Sequence, residues 1–102
     1  MLTLPIKKKW FDMIASGEKT EEYRENTPYW AVRFLHEFEL GYYFTFEESL
    51  VSTIRFRNGY RKDSPALIAK CHLGFGTGRP EWGAEPGKDY FILHIHDIQK
   101  EV

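Results

Sequence analysis

The hydrophobic period of this chain changes twice before residue 26, and that change limits the fold more than any other feature. Leu2, Leu4 and Ile6 alternate with Thr3 and Pro5, a period of two that predicts a short strand. Pro5 places that strand at an edge or a bend, because it offers no N–H to a neighbour. Ile6, Trp10, Met13 and Ile14 then recur at three- and four-residue spacing, the stripe of a short amphipathic helix from Lys7 to Ser16. Gly17 stands where a left-handed helix end belongs. Lys19 to Glu25 carries mixed charges around Thr20 and Tyr23 and reads as a second strand.

Thr27 and Pro28 form an N-cap followed by proline at the first helical position. Trp30, Phe34 and Phe38 line one face beyond it, with Val32 and Leu35 beside them, so a second helix runs to about Glu39 and Gly41 ends it. The aromatic stretch Tyr42 to Leu50 fits a strand or an irregular turn equally. Thr53, Arg55 and Arg57 alternate with Ile54 and Phe56 as a half-buried strand, and Asn58-Gly59 supplies a turn. Ala66 to Phe75 is a further strand, with Leu67, Ala69, Cys71 and Leu73 on one face. Gly74 to Gly87 is rich in glycine and proline and is expected to be loop, with Trp82 packed back on the body. Tyr90 to Ile98 closes the chain as a strand, with Phe91, Leu93 and Ile95 inward. Short strands with two helices in the N-terminal half predict an α+β fold, its sheet curled into a small β-barrel of about five to six strands. At 102 residues the chain fits one domain, 1–102.

Hydrophobic residues are 42% and aromatics 17%, more aromatic surface than such a core needs, so some rings are expected in a cleft. The formal net charge of −1 argues against nucleic-acid affinity built on bulk positive charge but allows a local basic groove. Cys71 is the single cysteine, which excludes an intrachain disulfide and a cysteine-rich zinc site and suits a reducing compartment. The first residues are apolar and precede Lys7, Lys8 and Lys9, the reverse of a secretory leader. No apolar run is long enough to span a bilayer, so a cytoplasmic location without a membrane partner is expected. The three lysines read as a solvated helix start.

Glu22 and Arg24 are two apart on a strand and share a face, with Thr20 beside them. Lys19, at the helix–strand junction, has the reach to swing over that face. A lysine, a carboxylate and an arginine so placed pin a phosphate, orient a base edge or transfer a proton; the alternative is an ion-pair cluster clipping helix to strand. Arg55 and Arg57 form a second same-face pair followed by Tyr60, a set that suits single-stranded RNA or a solvated strand face. Tyr29 and Arg33 share a helix face that borders the same region, whereas Trp30 fits the core. Arg79 lies in the glycine-rich loop with Trp82, whose better role is anchoring that loop. His94 and His96 share a strand face, but no motif supplies a third ligand, so no metal and no cofactor are expected. Gly74-Phe75-Gly76-Thr77-Gly78 lacks the lysine-serine ending of a phosphate loop.

The segment Gly17-Glu18-Lys19-Thr20-Glu21-Glu22-Tyr23-Arg24, after a strand and a helix, closely resembles the ASCH-domain signature, glycine-x-lysine-x-x-glutamate-x-arginine. Phe56-Arg57-Asn58-Gly59-Tyr60 and Glu81-Trp82-Gly83-Ala84 agree with it downstream, so the resemblance covers nearly the whole chain. It implies a PUA-like barrel whose signature residues line a cleft beside the first helix, and RNA or a nucleotide as partner. One expectation is therefore a recognition domain for single-stranded RNA or a modified nucleotide. In it Lys19, Arg24, Arg55 and Arg57 contact phosphates, Glu22 accepts from a base amino group, and Tyr60 stacks, with Tyr29 and Arg33 bordering the site. The other is a small hydrolase, because some single-domain members resemble amidohydrolases that deacetylate N4-acetylcytidine. There Lys19 and Glu22 would be catalytic, although Glu22 stands where that subgroup carries its threonine nucleophile. Thr20 sits at a different offset, and Glu81 and Glu85 are candidates for the downstream glutamate. Ribonuclease chemistry fits the same lysine–glutamate pair.

Overall fold

The computed structural model describes residues 1–38 and 51–100, and its first corner is made at Gly17. β1 (Thr3–Ile6) leads into α1 (Lys8–Ala15), which buries Ile14. Past Ser16 the backbone turns left-handed at Gly17 (φ 85°), where a side chain would be strained. Gly17 N–H donates to Ile14 O (3.0 Å) and Lys19 N–H to Met13 O (2.9 Å), so the chain folds back over the helix end. β2 (Glu21–Glu25) therefore starts two residues later than its sequence pattern suggests. Thr20 stays outside the strand with an exposed side chain, while its carbonyl accepts from Ile95 N–H (2.9 Å).

α2 (Pro28–Glu37) begins at Thr27, whose side chain accepts from Trp30 N–H. Phe34 and Phe38 form its buried stripe and Trp30 is half-buried, but Val32 and Leu35 face outward, 62% and 49% exposed. The expected element at Tyr42 to Leu50 lies outside the described residues. β3 (Val51–Asn58), β4 (Ala66–Thr77) and β5 (Asp89–Lys100) complete the sheet, in the order β1-β3-β4-β5-β2. β1 runs parallel to β3, and the remaining pairs are antiparallel. Among the described residues the result is an α+β fold, two helices on a five-stranded mixed sheet that curls into a half-barrel. β1 is an edge strand, as Pro5 requires. No helix among the described residues is long and apolar enough to cross a membrane.

One expected loop is strand. β4 continues through Gly74, Phe75, Gly76 and Thr77, which pair with Ile92, Phe91, Tyr90 and Asp89 of β5. The ladder outweighs the weak strand propensity of glycine there, because β5 is apolar on both faces. Gly74 also has a local reason to lack a side chain: a Cβ at that position would stand 2.8 Å from His94 Nε2.

The main core packs Leu4, Ile54, Phe56, Leu67, Cys71 and Leu93 of the sheet against Ile14 and Phe34 of the helices. Burial pushes the Cys71 thiol up to about 12, so this sulfur is an inert packing atom. A second cluster joins Tyr23, Trp82, Ala84, Tyr90 and Ile92, with Met13 against it; Trp82 packs back on the body as expected, while the sequence pattern did not reveal that Tyr90 and Ile92 lie under it. It buries the other alternate face of β5 and seats the segment after β4 on the sheet.

Candidate functional site

The sheet leaves β1 and β2 as its two edges, and a cleft of about 630 Å³ opens between them. That volume lies within the range of small-molecule sites. Arg24 of β2 spans the gap, its Nη2 donating to Pro5 O of β1 (3.3 Å). Its Nη1 donates to Tyr23 O (2.8 Å), and its guanidinium lies 5.2 Å from the centroid of the Trp30 ring. Trp10 of α1, Tyr23 of β2, Tyr90 of β5 and Trp82 contribute rings to the cleft, and Tyr29 and Trp30 come from α2. Tyr60, 89% exposed, stands on its rim.

Glu22 is the buried acid of this cleft, 5% exposed. Its two oxygens are unequal. Oε1 accepts from Tyr23 N–H (2.9 Å) and lies 3.5 Å from Lys19 Nζ and 3.4 Å from Arg24 Nη1. Oε2 is buried and has no hydrogen-bond partner among the described residues. A buried acceptor without a donor costs on the order of 1–3 kcal/mol, more when charged.

Lys19 is fully buried behind the cleft and does not line it. Its Nζ donates to Trp82 O (2.9 Å) and sits over the rings of Trp10 (4.7 Å) and Tyr23 (5.1 Å). Burial lowers its pKa below the ordinary lysine value, an effect the Glu22 charge opposes and the Arg24 charge reinforces. The ammonium ties α1, β2 and the turn at Pro80–Trp82 to one point.

That turn is held from the other side by Tyr23. Its hydroxyl accepts from Arg79 N–H (2.9 Å) and donates to Glu21 Oε1 (2.7 Å), and burial raises its pKa above the usual phenol value. Tyr90 OH accepts from Glu85 N–H (3.0 Å), and Lys88 pairs with Glu25 (3.2 Å). The packing leaves no room at Gly78, where a Cβ would lie 2.6 Å from Tyr23 Cε1 and 2.7 Å from the Ala84 Cβ. Gly78→Ala is expected to destabilise the domain by about 1–3 kcal/mol, whereas Gly74→Ala meets only the movable, partly exposed His94 ring and costs less. Paired chemical-denaturation curves of the two variants check this, and equal effects would refute the tight seat proposed for Gly78.

Of the residues singled out in the sequence, Glu22, Arg24, Tyr29 and Tyr60 line the cleft, and Lys19 stands behind Glu22. Arg33 does not line it but braces Tyr29, with its guanidinium 3.3 Å from the ring centroid and Nη1 donating to Tyr29 O (3.0 Å). Arg55 and Arg57 lie elsewhere. They alternate with the core residues Ile54 and Phe56, and Arg55 Nη1 donates to Thr3 Oγ1 (3.2 Å). His94 faces Glu21 (3.5 Å), and the rings of His72 and His96 meet edge-on at 4.7 Å. Glu81 and Glu85 are exposed and do not line the cleft.

Trp10, Trp30, Tyr90, Lys7 and Lys8 line the cleft as well, although their spacing reads as core or solvated helix. The usable signal was the position of Lys7 directly after β1 and of Trp10 about two helical turns before Gly17. Comparison with known proteins finds no matching family model, no similar curated protein and no similar solved structure.

Proposed function

We propose that the chain is an RNA or nucleotide recognition domain of the ASCH type, which takes one base into the cleft between β1 and β2. The observation that carries this reading is Glu22, a buried acid that lines the cleft and keeps one carboxylate oxygen, Oε2, without a donor among the described residues. Such an atom suits a ligand N–H. The surrounding rings suit a flat π-system, and stacking contributes about 1–3 kcal/mol per base. Cytosine, adenine and guanine offer such a carboxylate an exocyclic amino group, where uracil presents a carbonyl and keeps only its ring N3–H. Proximity of Lys19, Glu22 and Arg24 after Gly17 supports the resemblance to the ASCH signature.

Titration of the intrinsic tryptophan fluorescence with cytidine and with uridine tests it, since Trp10, Trp30 and Trp82 all border the cleft. Hydrogen bonds to charged groups are worth about 1.5–3 kcal/mol, so cytidine is expected to bind about 10- to 100-fold more tightly than uridine. Equal affinities, or no quenching by either, would sink the reading.

Hydrolysis is a second reading with one observation in its favour, the lowered pKa of Lys19 beside a carboxylate. The geometry supports it less well. The Lys19 ammonium is committed to Trp82 O and two rings and does not line the cleft.

A further inference from the structure

β1 and β3 are parallel, so they end on the same side of the sheet. Ile6 is registered with Asn58, and Gly59 N–H donates to Ile6 O (3.0 Å). The residues that leave these two strand ends therefore emerge side by side. After β1 they are Lys7, Lys8 and Lys9; after β3 and Gly59 they are Tyr60, Arg61 and Lys62. All six are exposed. Lys8 pairs with Asp12 and Lys9 lies against Trp10, whereas Lys7, Arg61 and Lys62 have no carboxylate partner among the described residues. Asp63 is the acid next to them in sequence. In a chain of net charge −1, this is a concentration of unneutralised cations on one surface. That surface runs into the cleft, because Lys7, Lys8, Gly59 and Tyr60 are among its lining residues.

From this placement we infer that the surface joining the start of α1 to the loop after β3 carries the sugar–phosphate backbone of a single-stranded nucleic acid. The inference rests on the base-recognition reading above and deepens it: the ligand is a strand, not a free nucleoside. One base enters the cleft, and the adjoining phosphates lie along Lys7, Arg61 and Lys62. The Tyr60 ring, 89% exposed beside those cations, offers a stacking platform for the neighbouring base. The first turn of α1 holds no acidic residue and no side chain caps it, so its amides add to the positive field. An acidic peptide would be attracted by the cations alone. It would make no use of an exposed ring continuous with an aromatic cleft. This surface, and not Arg55 and Arg57, supplies the phosphate contacts.

The test uses a labelled single-stranded RNA of mixed sequence, about eight nucleotides long, followed by anisotropy in parallel with the cytidine titration. The proteins are wild type, Glu22→Gln, and the double variant Arg61→Ala, Lys62→Ala, whose changes are at exposed positions outside the cleft. The RNA is expected to bind at least about tenfold more tightly than cytidine, and the double variant to lose most of that gain while still binding cytidine as wild type does. The slope of log affinity against log salt should fall by about 1.4 on losing two contacts, at about 0.7 per phosphate. RNA that binds no tighter than cytidine, or a double variant that binds it unchanged, overturns the inference and leaves base recognition standing. If the double variant loses RNA binding but Glu22→Gln has no effect on either ligand, the strand surface stands and the base reading falls. If neither ligand binds, both fall.

Discussion

Glu22→Gln is expected to invert the base preference of the cleft, not merely to weaken it. Oε1 is fixed as an acceptor by two donors, Tyr23 N–H and Lys19, with the Arg24 guanidinium as a further cation beside it. A glutamine at this position must set its carbonyl oxygen there, since an amide NH₂ would face donors on every side. Its NH₂ group then occupies the place of Oε2, the oxygen without a partner. The group offered to the ligand changes from acceptor to donor while the shape of the site is kept. Cytidine, which presents an amino group, should lose about 10- to 100-fold in affinity, and uridine, which presents a carbonyl, should gain. Glu22→Ala, lacking both groups, should bind the two nucleosides equally and weakly. The same fluorescence titration reads wild type and both variants, with thermal melts confirming that each is folded. A glutamine variant that weakens both nucleosides alike would show that Oε2 does not meet the base.

Most of the site was legible because it is local. Gly17, Lys19, Glu22 and Arg24 fall within one helix end and one strand, where spacing alone fixes which side chains share a face. Lys19 does reach Glu22, 3.5 Å from its Oε1, but from behind the cleft. The consequence does not follow from spacing: burial by Trp10, Tyr23 and the distant Trp82 turns the lysine from a phosphate contact into an internal strut.

What the sequence concealed was long-range. Arg55 and Arg57 form the clearer same-face pair, yet neither reaches the cleft, because which edge of the sheet faces the open gap depends on strand order. Lys7 and Tyr60 are far apart in sequence and reach the same cleft only through the parallel pairing of β1 with β3. Tyr90 and Ile92 looked like the outward face of the last strand. A second apolar cluster covers them because the segment after β4 folds back onto β5. Periodicity reports that a face is apolar or polar, not which remote segment will lie on it.

Lys19→Met is expected to be the most destabilising single change at the site, by about 3 kcal/mol, because it removes one member of a buried pair. The methionine fills much of the space but leaves Trp82 O without its donor and Glu22 with Arg24 as its remaining cation. For a domain of this size that loss lowers the melting temperature by roughly 12–24 °C. Replacing both partners, Lys19→Met with Glu22→Leu, should recover part of the loss, since no charge then remains buried without its partner. A double-mutant cycle reads the coupling, expected at about 1–3 kcal/mol, and additive losses would mean that the pair is not coupled.

The pH dependence separates the charge of Lys19 from its packing. In the folded state burial holds its pKa below the ordinary 10.5, so in that window the unfolded chain binds more protons. Stability contributed by this group therefore rises as pH climbs through the folded value towards 10.5, a slope that wild type should show and Lys19→Met should lack. Function discriminates further. A strut behind Glu22 predicts that the folded Lys19→Met protein still distinguishes cytidine from uridine, with affinity reduced far less than in Glu22→Ala. If instead Lys19→Met abolishes the discrimination while the protein stays folded, the ammonium itself meets the ligand, and the hydrolytic reading becomes the better account of the Lys19–Glu22 pair.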